Sequence, residues 1–432
     1  MSGLLTRFFE ARGLSGSSNP QNPAYWLVKM LGGTQATSGV KVTRETALGW
    51  TAFAAGVRII AETLGSIPCQ IFERLEPRGR ELRRNHPLYF LLHDQPNEEM
   101  TAFEFFELMQ TQIPLFGFAA AQIVYNGGGI PIELWPLNAD RITISRNAAG
   151  MLQYRVALPR NDMGGVSGSV VLPADEVLLI RGWGGGIIGR ALPTLHKEAL
   201  GLGLATELFS AGFFGRGAVA SGVLEHPGEL TEEAQQRIRT MYESQVGGID
   251  RQHRLLILEE GMKWHQTTVD PDKAQLLGLR ELQLDEAARM LRVPPHMLAN
   301  LRRATFSNIE HQRIEFAEDT MRPWAVRWEQ RMAMQLFGRK DRNRLFIKFN
   351  LDAILRGDLE SRYRAYHVGR QAGILSANDA REREDMNPRT DPGGDVYADL
   401  PAGVPANLDP MKPREMMPAP TPAGGNNGKE DD

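Results

Sequence analysis

Residues Gly184 to Gly189 read GGGIIG, a match to G-x-G-x-x-G, the spacing that lets a backbone lie against a pyrophosphate. The match follows a strand-like segment, EVLLI, and precedes a helical one, the order a dinucleotide-binding turn requires. Two features count against that chemistry. The acidic residue that takes a ribose hydroxyl should end a second strand about 20 residues on, and that position falls inside a helical pattern around Leu204. The chain upstream reads as a meander of hairpins, not as a βαβ repeat. A hinge between strand and helix therefore explains the glycines better than a nucleotide-binding enzyme, which stays as the alternative.

The nine histidines are scattered, with no H-E-x-x-H and no His/Cys cluster, so neither a metal site nor a cofactor is expected. Ser307 sits in no G-x-S-x-G elbow and reads as a helix cap. REREDM (381–386) reads as a solvated helix face, and GRKDRNR (338–344) as a basic surface turn before a polyanion contact. No catalytic constellation emerges. What remains is the run VPPHMLANLRRATFSNIEHQRIEFAEDTMRPW, from Val293 to Trp324. Pro294 and Pro295 make an elbow, Arg302 and Arg303 follow on a short loop, and a Thr/Ser/Asn cluster opens a helix from about Thr305 to Phe337. At ~1.5 Å per residue that helix is about 50 Å long, and Pro323 should kink it.

The elements that position these residues follow from pattern. Segment 1–40 is rich in Gly, Ser, Asn and Pro and reads as a mobile arm. Thr43 caps a helix from Arg44 to about Leu64, and Thr101 caps another that closes near Gly117. IPCQIFER, AAAQIVY, IPIELWPL, RITIS, MLQYRV and DEVLLIRGW read as strands, several joined by glycine turns. The second half is mostly helical: Ala191 to about Phe214, a helix capped by Thr231, and Asp272 to Arg292. SGVLE reads as a strand, RLLILEEGMKWHQTTV as a hairpin turning at Glu260-Gly261, and RLFIKFNL as a strand. Two short helices, Asp358 to Gln371 and Ser376 to Asp385, precede a proline-rich tail. The fold class is α+β. Cys69 is the only cysteine, so no disulfide forms within the chain, which points to synthesis in a reducing compartment. No apolar run suggests a membrane span. A formal net charge of -3 argues against avid nucleic-acid binding without excluding weak contact.

In this order the segments closely resemble the portal proteins of tailed bacteriophages with Hong Kong 97-like heads, over roughly Thr43 to Asp395. The resemblance is carried by TALGWTAFAAGVRIIAETLGSIPCQIFER, HPLYFLLHDQPNEEMTAFEFFELM, ELWPLNADRITI, EVLLIRGW, ASGVLEHPGELTEEA, LLILEEGMKW, VPPHMLANLRRATFSNIEHQ and FNLDAILRGDLESRYRAY. The resemblance implies a non-enzymatic ring, usually of twelve copies, at one capsid vertex. Double-stranded DNA would enter and leave through its channel, driven by a terminase large subunit, with the major capsid protein and a head-tail adaptor as partners and no membrane. It would reside in the virion after assembly in the bacterial host cytoplasm.

Carried over by motif, 41–190 is the wing, 191–216 and 271–292 the stem helices, and 217–270 the clip. Segment 293–349 is the tunnel loop and long wing helix, 350–386 the crown and 387–432 a disordered tail. His296, Asn300, Arg302, Arg303 and Thr305 are then tunnel-loop candidates for DNA contact, and Lys273, Arg280 and Arg292 channel-facing stem candidates. The same resemblance allows a prophage or gene transfer agent connector. GWGGGIIG is richer in glycine than expected at a wing-to-stem junction, and the arginine pair departs from the family's pattern.

Overall fold

Thr34–Gln35 (β1) and Lys41–Val42 (β2) pair antiparallel, turning through Gly39 at φ 82°. The end of the segment expected as a mobile arm is thus a small hairpin, because Ala36 and Val42 have somewhere to be buried. The computed structural model describes residues 34–158, 168–215, 222–228, 231–246, 262–266, 276–300, 306–354, 359–384 and 386–397. They fall in two compact units that divide between Leu355 and Arg356.

Thr43 caps its helix as expected, in a capping box with Thr46. The helix does not run on to Leu64. It stops as Arg44–Gly49 (α1) and restarts as Thr51–Ser66 (α2), with Trp50 between them extended at ψ 112°. The reason is distant in sequence: the Trp50 ring is buried against Gly203, where a Cβ would meet the indole at 2.9 Å. Cys69–Arg74 (β3), Arg80–Leu82 (β4) and Pro87–His93 (α3) follow. Ala102–Phe116 (α4) has the Thr101–Glu104 capping box at one end and left-handed Gly117 at the other.

Next come Phe118–Tyr125 (β5), Pro131–Leu137 (β6), Ile142–Arg146 (β7), Leu152–Ala157 (β8), Ser169–Pro173 (β9) and Val177–Arg181 (β10). All pairings among the described strands are antiparallel, giving the sheets β10-β5-β6 and β7-β8-β9 and a third, in which β3 lies between β4 and Leu345–Phe349 (β13). The first of these is buried on both faces. Leu178, Ile180, Ala119 and Ala121 point into the main core, and Leu179, Val177, Ala120 and Phe118 into a second core beneath β7-β8-β9. That burial explains why VLLI is continuously apolar while the hairpin strands alternate.

The second half of the first unit holds Leu192–Leu195 (α5), Lys197–Gly215 (α6), Gly222–Glu225 (β11), Glu232–Val246 (α7), Lys263–Gln266 (β12) and Leu276–Leu291 (α8). β12 pairs with β11; the first arm of the hairpin expected from Arg254 lies outside the described residues. The expected long helix is Phe306–Glu315 (α9), a π-helical turn over Phe316–Met321, and Arg322–Leu336 (α10), followed by Leu345–Phe349 (β13). Pro323, where a kink was expected, stands in the first turn of α10. The irregularity takes the form of the wider turn just before the proline, which re-routes the hydrogen bond that its missing N–H breaks.

α10 has two working faces. Trp328 is fully buried and donates its indole N–H to Gln110 at 2.9 Å. On another face, Arg327, Arg331 and Gln335 bond the backbone of β10, the outer strand of its sheet. Arg327 reaches the carbonyls of Arg181 (3.1 Å) and Gly182 (3.0 Å), and Arg331 that of Leu179 (2.8 Å). Gln335 accepts from the Leu179 N–H (3.1 Å) and donates to the Val177 carbonyl. Four helical residues advance about 6 Å and two strand residues about 6.6 Å, so an i, i+4, i+8 row matches every second residue of the edge. The sheet edge is thereby closed to other strands.

The second unit contains Leu359–Gln371 (α11) and Ala377–Arg383 (α12), the latter in a Ser376–Asp379 capping box. Arg362 grips Glu384 through two bonds, at 2.9 and 3.1 Å, and Tyr366 donates to the same carboxylate.

Candidate functional site

The proline elbow starts where α8 ends. Arg292 is left-handed, φ 57°, and the Val293 N–H reaches back to the Ala288 carbonyl at 3.0 Å, the bond of a Schellman cap. Glycine is the usual residue at such a position, and arginine there costs on the order of 1 kcal/mol. Thr320, buried in the π turn, donates its hydroxyl to the Arg292 carbonyl at 2.6 Å. A short 3-10 helix, Pro295–Leu298, then ends at Ala299, again left-handed with φ 64°.

Two side-chain bonds hold this elbow. The His296 ring nitrogen lies 2.5 Å from the Gln312 carbonyl oxygen on α9, and Asn300 donates to Asp285 on α8 at 3.1 Å. His296 and Asn300, both named from sequence, are therefore each bonded to a neighbouring helix. Arg302, Arg303 and Thr305 lie outside the described residues, as does Lys273. Arg280 and Arg292 are exposed on α8 and at its end.

α8 packs on α6 and on α2. Gln283, almost fully buried, donates to the Thr206 hydroxyl at 2.8 Å and to the Leu202 carbonyl at 3.3 Å. Leu291 covers Gly56, where any Cβ would overlap its side chain. α6 carries apolar residues on more than one side, between Thr206, Glu207 and Ser210. Leu200 is buried, yet Leu202, Leu208 and Phe209 are 45%, 62% and 53% exposed. Large apolar side chains exposed side by side mark a surface that something else covers.

The glycine-rich turn is pinned and not a free hinge. The Gly117 carbonyl accepts from both Gly182 (2.8 Å) and Gly189 (2.9 Å), and Arg190 donates to the Trp183 carbonyl at 2.7 Å. A Cβ on Gly189 would stand 2.5 Å from the Gly182 carbonyl carbon and 2.6 Å from the Gly117 oxygen. Glycine is needed there for backbone-on-backbone packing. The helix that follows, α5, is a single turn, too short to present an N-terminus to a pyrophosphate. Among the described residues no group of three or more His, Cys, Asp or Glu could hold a metal ion, and no helix is long and apolar enough to cross a membrane.

Sequence reasoning missed the Arg327–Arg331–Gln335 row. Its signal was present as a polar i, i+4, i+8 stripe beside an apolar one. The edge it serves, β10, is far away in the chain.

The elbow is thus tied to the helices on either side of it, and α6 beside it leaves large apolar side chains exposed. Comparison with known proteins agrees. The family described as "Phage portal protein" matches residues 51–385. The probable portal protein of Streptomyces phage phiC31 is 32% identical over 387 residues, 87% of this chain and 82% of that one. The portal protein of Enterobacteria phage HK97 is 31% identical over 346 residues, 79% of each. Among solved structures, a chain from the neck of a native gene transfer agent particle, computed with C12 symmetry, shares the fold. It superposes with a TM-score of 0.51 at 21% identity, over 84% of this chain and 99% of that one. The chain belongs to the phage portal protein family.

Proposed function

We propose that copies of this chain close into a ring, usually of twelve, at one capsid vertex, and that double-stranded DNA passes through the opening. The observation that carries this reading is α6. Its exposed Leu202 and Leu208 need a cover that the described residues of one chain do not supply, and the neighbouring copy in a ring supplies it. The C12 symmetry of the related neck supports the copy number. The protein is structural: the energy for DNA movement comes from a terminase large subunit docked on the ring. The major capsid protein and a head-tail adaptor are its other partners, and no cofactor takes part. The ring assembles in the host cytoplasm and remains in the virion.

Within the subunit, 41–190 is the wing, 191–216 and 271–292 form the stem, 217–270 the clip and 350–386 the crown. Segment 293–349 carries the tunnel loop. His296 and Asn300 are tied to the flanking helices, and Arg302, Arg303 and Thr305 are the residues assigned to DNA contact. Repeated around the axis, the arginine pair becomes a girdle of positive charge. The net charge of -3 keeps the hold on DNA weak enough for sliding. The likeness to a gene transfer agent neck favours, as a second reading, the same role in such a particle or in a prophage. Negative-stain imaging of the purified protein tests the ring. Rings with an open centre are expected; a monomer at every concentration, or a closed particle, overturns it.

A further inference from the structure

Three guanidinium groups crowd the end of β10 without a single carboxylate. Arg327 and Arg331 spend bonds on the backbone of the strand, and Arg181 reaches only the Gly186 carbonyl at 3.5 Å. None of the three forms an ion pair among the described residues. The Nε atoms of Arg181 and Arg327 are shut off from solvent without a hydrogen-bond acceptor. Burial pulls the Arg327 and Arg331 guanidiniums below the ordinary arginine range, and the Arg181 charge adds to this at Arg331. Closing a sheet edge needs donors, but it does not need three uncompensated positive charges. A neutral Gln335 performs the same task one turn further on.

The surroundings say what kind of anion fits. Trp183, next but one to Arg181, is 63% exposed, and Ile187 and Ile188 stand out of the same pinned turn. The Arg327 guanidinium lies 5.2 Å from the centre of the Trp324 ring. An exposed tryptophan two residues from Arg181, and a guanidinium lying over a second, partly buried tryptophan, are the composition of a protein-protein anchor. Nucleic-acid phosphate is met instead by solvated cations spread along a stripe. The two hydrogen bonds accepted by the Gly117 carbonyl fix the turn, so little ordering entropy is lost when a partner arrives.

We infer that the end of β10 with its glycine-rich turn is a docking site for an acidic peptide segment of a partner protein, whose Asp or Glu carboxylates pair with Arg181 and the α10 arginines while its apolar residues cover Trp183. This goes beyond the ring and channel reading and does not depend on it.

The test uses the full chain in its purified state and three fluorescein-labelled probes: a peptide of alternating Glu and Leu, one of alternating Gln and Leu, and a DNA duplex. Anisotropy titration should show saturable binding of the Glu/Leu peptide and none of the Gln/Leu peptide. Arg181→Gln should weaken it about tenfold, or about 1.4 kcal/mol, and Arg181→Lys should restore only part, since a point charge replaces a bidentate fork. Trp183→Ala, at an exposed side chain, should weaken it as well and guards against a folding defect in the first variant. Equal affinity of Arg181→Gln and wild type overturns the proposal. So does equal binding of the Gln/Leu peptide, which would leave an apolar patch alone. Displacement of the peptide by the duplex, with the same loss in Arg181→Gln, would make this a phosphate site and would also overturn it.

Discussion

Thr320 and Arg292 are joined by a 2.6 Å hydrogen bond from hydroxyl to carbonyl, which ties the π-helical turn to the left-handed residue ending α8. The two irregular backbone features of the elbow therefore support each other. The π turn places Thr320 inside, and Thr320 satisfies the carbonyl that the left-handed turn leaves without a helical partner. Replacing Thr320 by Val keeps the shape and orphans that carbonyl, so unfolding in urea should show a loss of about 1–3 kcal/mol. Thr320→Ser should lose much less. An unchanged midpoint for Thr320→Val would mean that the elbow is held by its prolines alone.

Glu329 gives the stability a pH dependence of unusual sign. Burial pushes its carboxyl above the usual carboxylate range, while the Phe349 N–H it accepts at 2.8 Å and the Lys348 charge pull the other way and do not win. With the folded value raised, the folded chain holds this proton longer than the unfolded one. The contribution of Glu329 is therefore fully present below the unfolded carboxylate pKa and declines as pH rises through the folded one. Glu329→Gln can still accept from Phe349 without a charge to bury. Thermal unfolding across pH 4 to 8 should find the variant more stable than wild type at neutral pH, with the difference closing towards pH 4. A difference that widens on acidification would contradict the assignment.

How much of this was readable in advance depended on distance along the chain. The α4 helix, its Thr101–Glu104 box and its Gly117 terminator follow from residues in contact with their own neighbours, and the structure has them where the pattern puts them. The hairpins around Asn126–Gly129 and Asn147–Gly150 are equally local. The break at Trp50 was not legible, because Gly203, which receives the ring, is over 150 residues away. β9 was missed too: its Val170 and Val171 are exposed, and only Leu172 and its pairing with β8 give it away. At the candidate site, the sequence named the elbow, His296 and Asn300. It could not name Gln312 and Asp285 as the partners that hold them, since those pairings exist only after three helices have packed.

The uncovered side of α6 makes a sharp expectation about assembly. Leu202 and Phe209 lie two turns apart on one face with Leu208 beside them, while Leu200, Gly203 and Thr206 face inward. Charges placed at Leu208 and Phe209 cost the folded monomer little, because both are already more than half exposed. In a ring they would be buried without partners, at several kcal/mol per interface. Leu208→Asp with Phe209→Asp should therefore keep its circular dichroism and melting behaviour and run as a monomer by light scattering. Rings of normal mass would show that α6 faces something other than a neighbouring copy.

The arginine pair calls for the opposite outcome, an intact ring with altered traffic. Asn300 is bonded to Asp285 and His296 to Gln312, and neither bond involves Arg302 or Arg303, so alanines at those two positions leave both bonds alone. A ring repeats the pair in every subunit, and each phosphate contact removed weakens binding and flattens its dependence on salt. Arg302→Ala with Arg303→Ala should assemble normally. Particles built on it should differ from wild type in nuclease-protected DNA per capsid, and the gap should narrow as ionic strength rises and screens the wild-type charges. Wild-type filling and retention at low salt would place these arginines away from the DNA path and would remove the tunnel-loop role from the segment between His296 and Thr305.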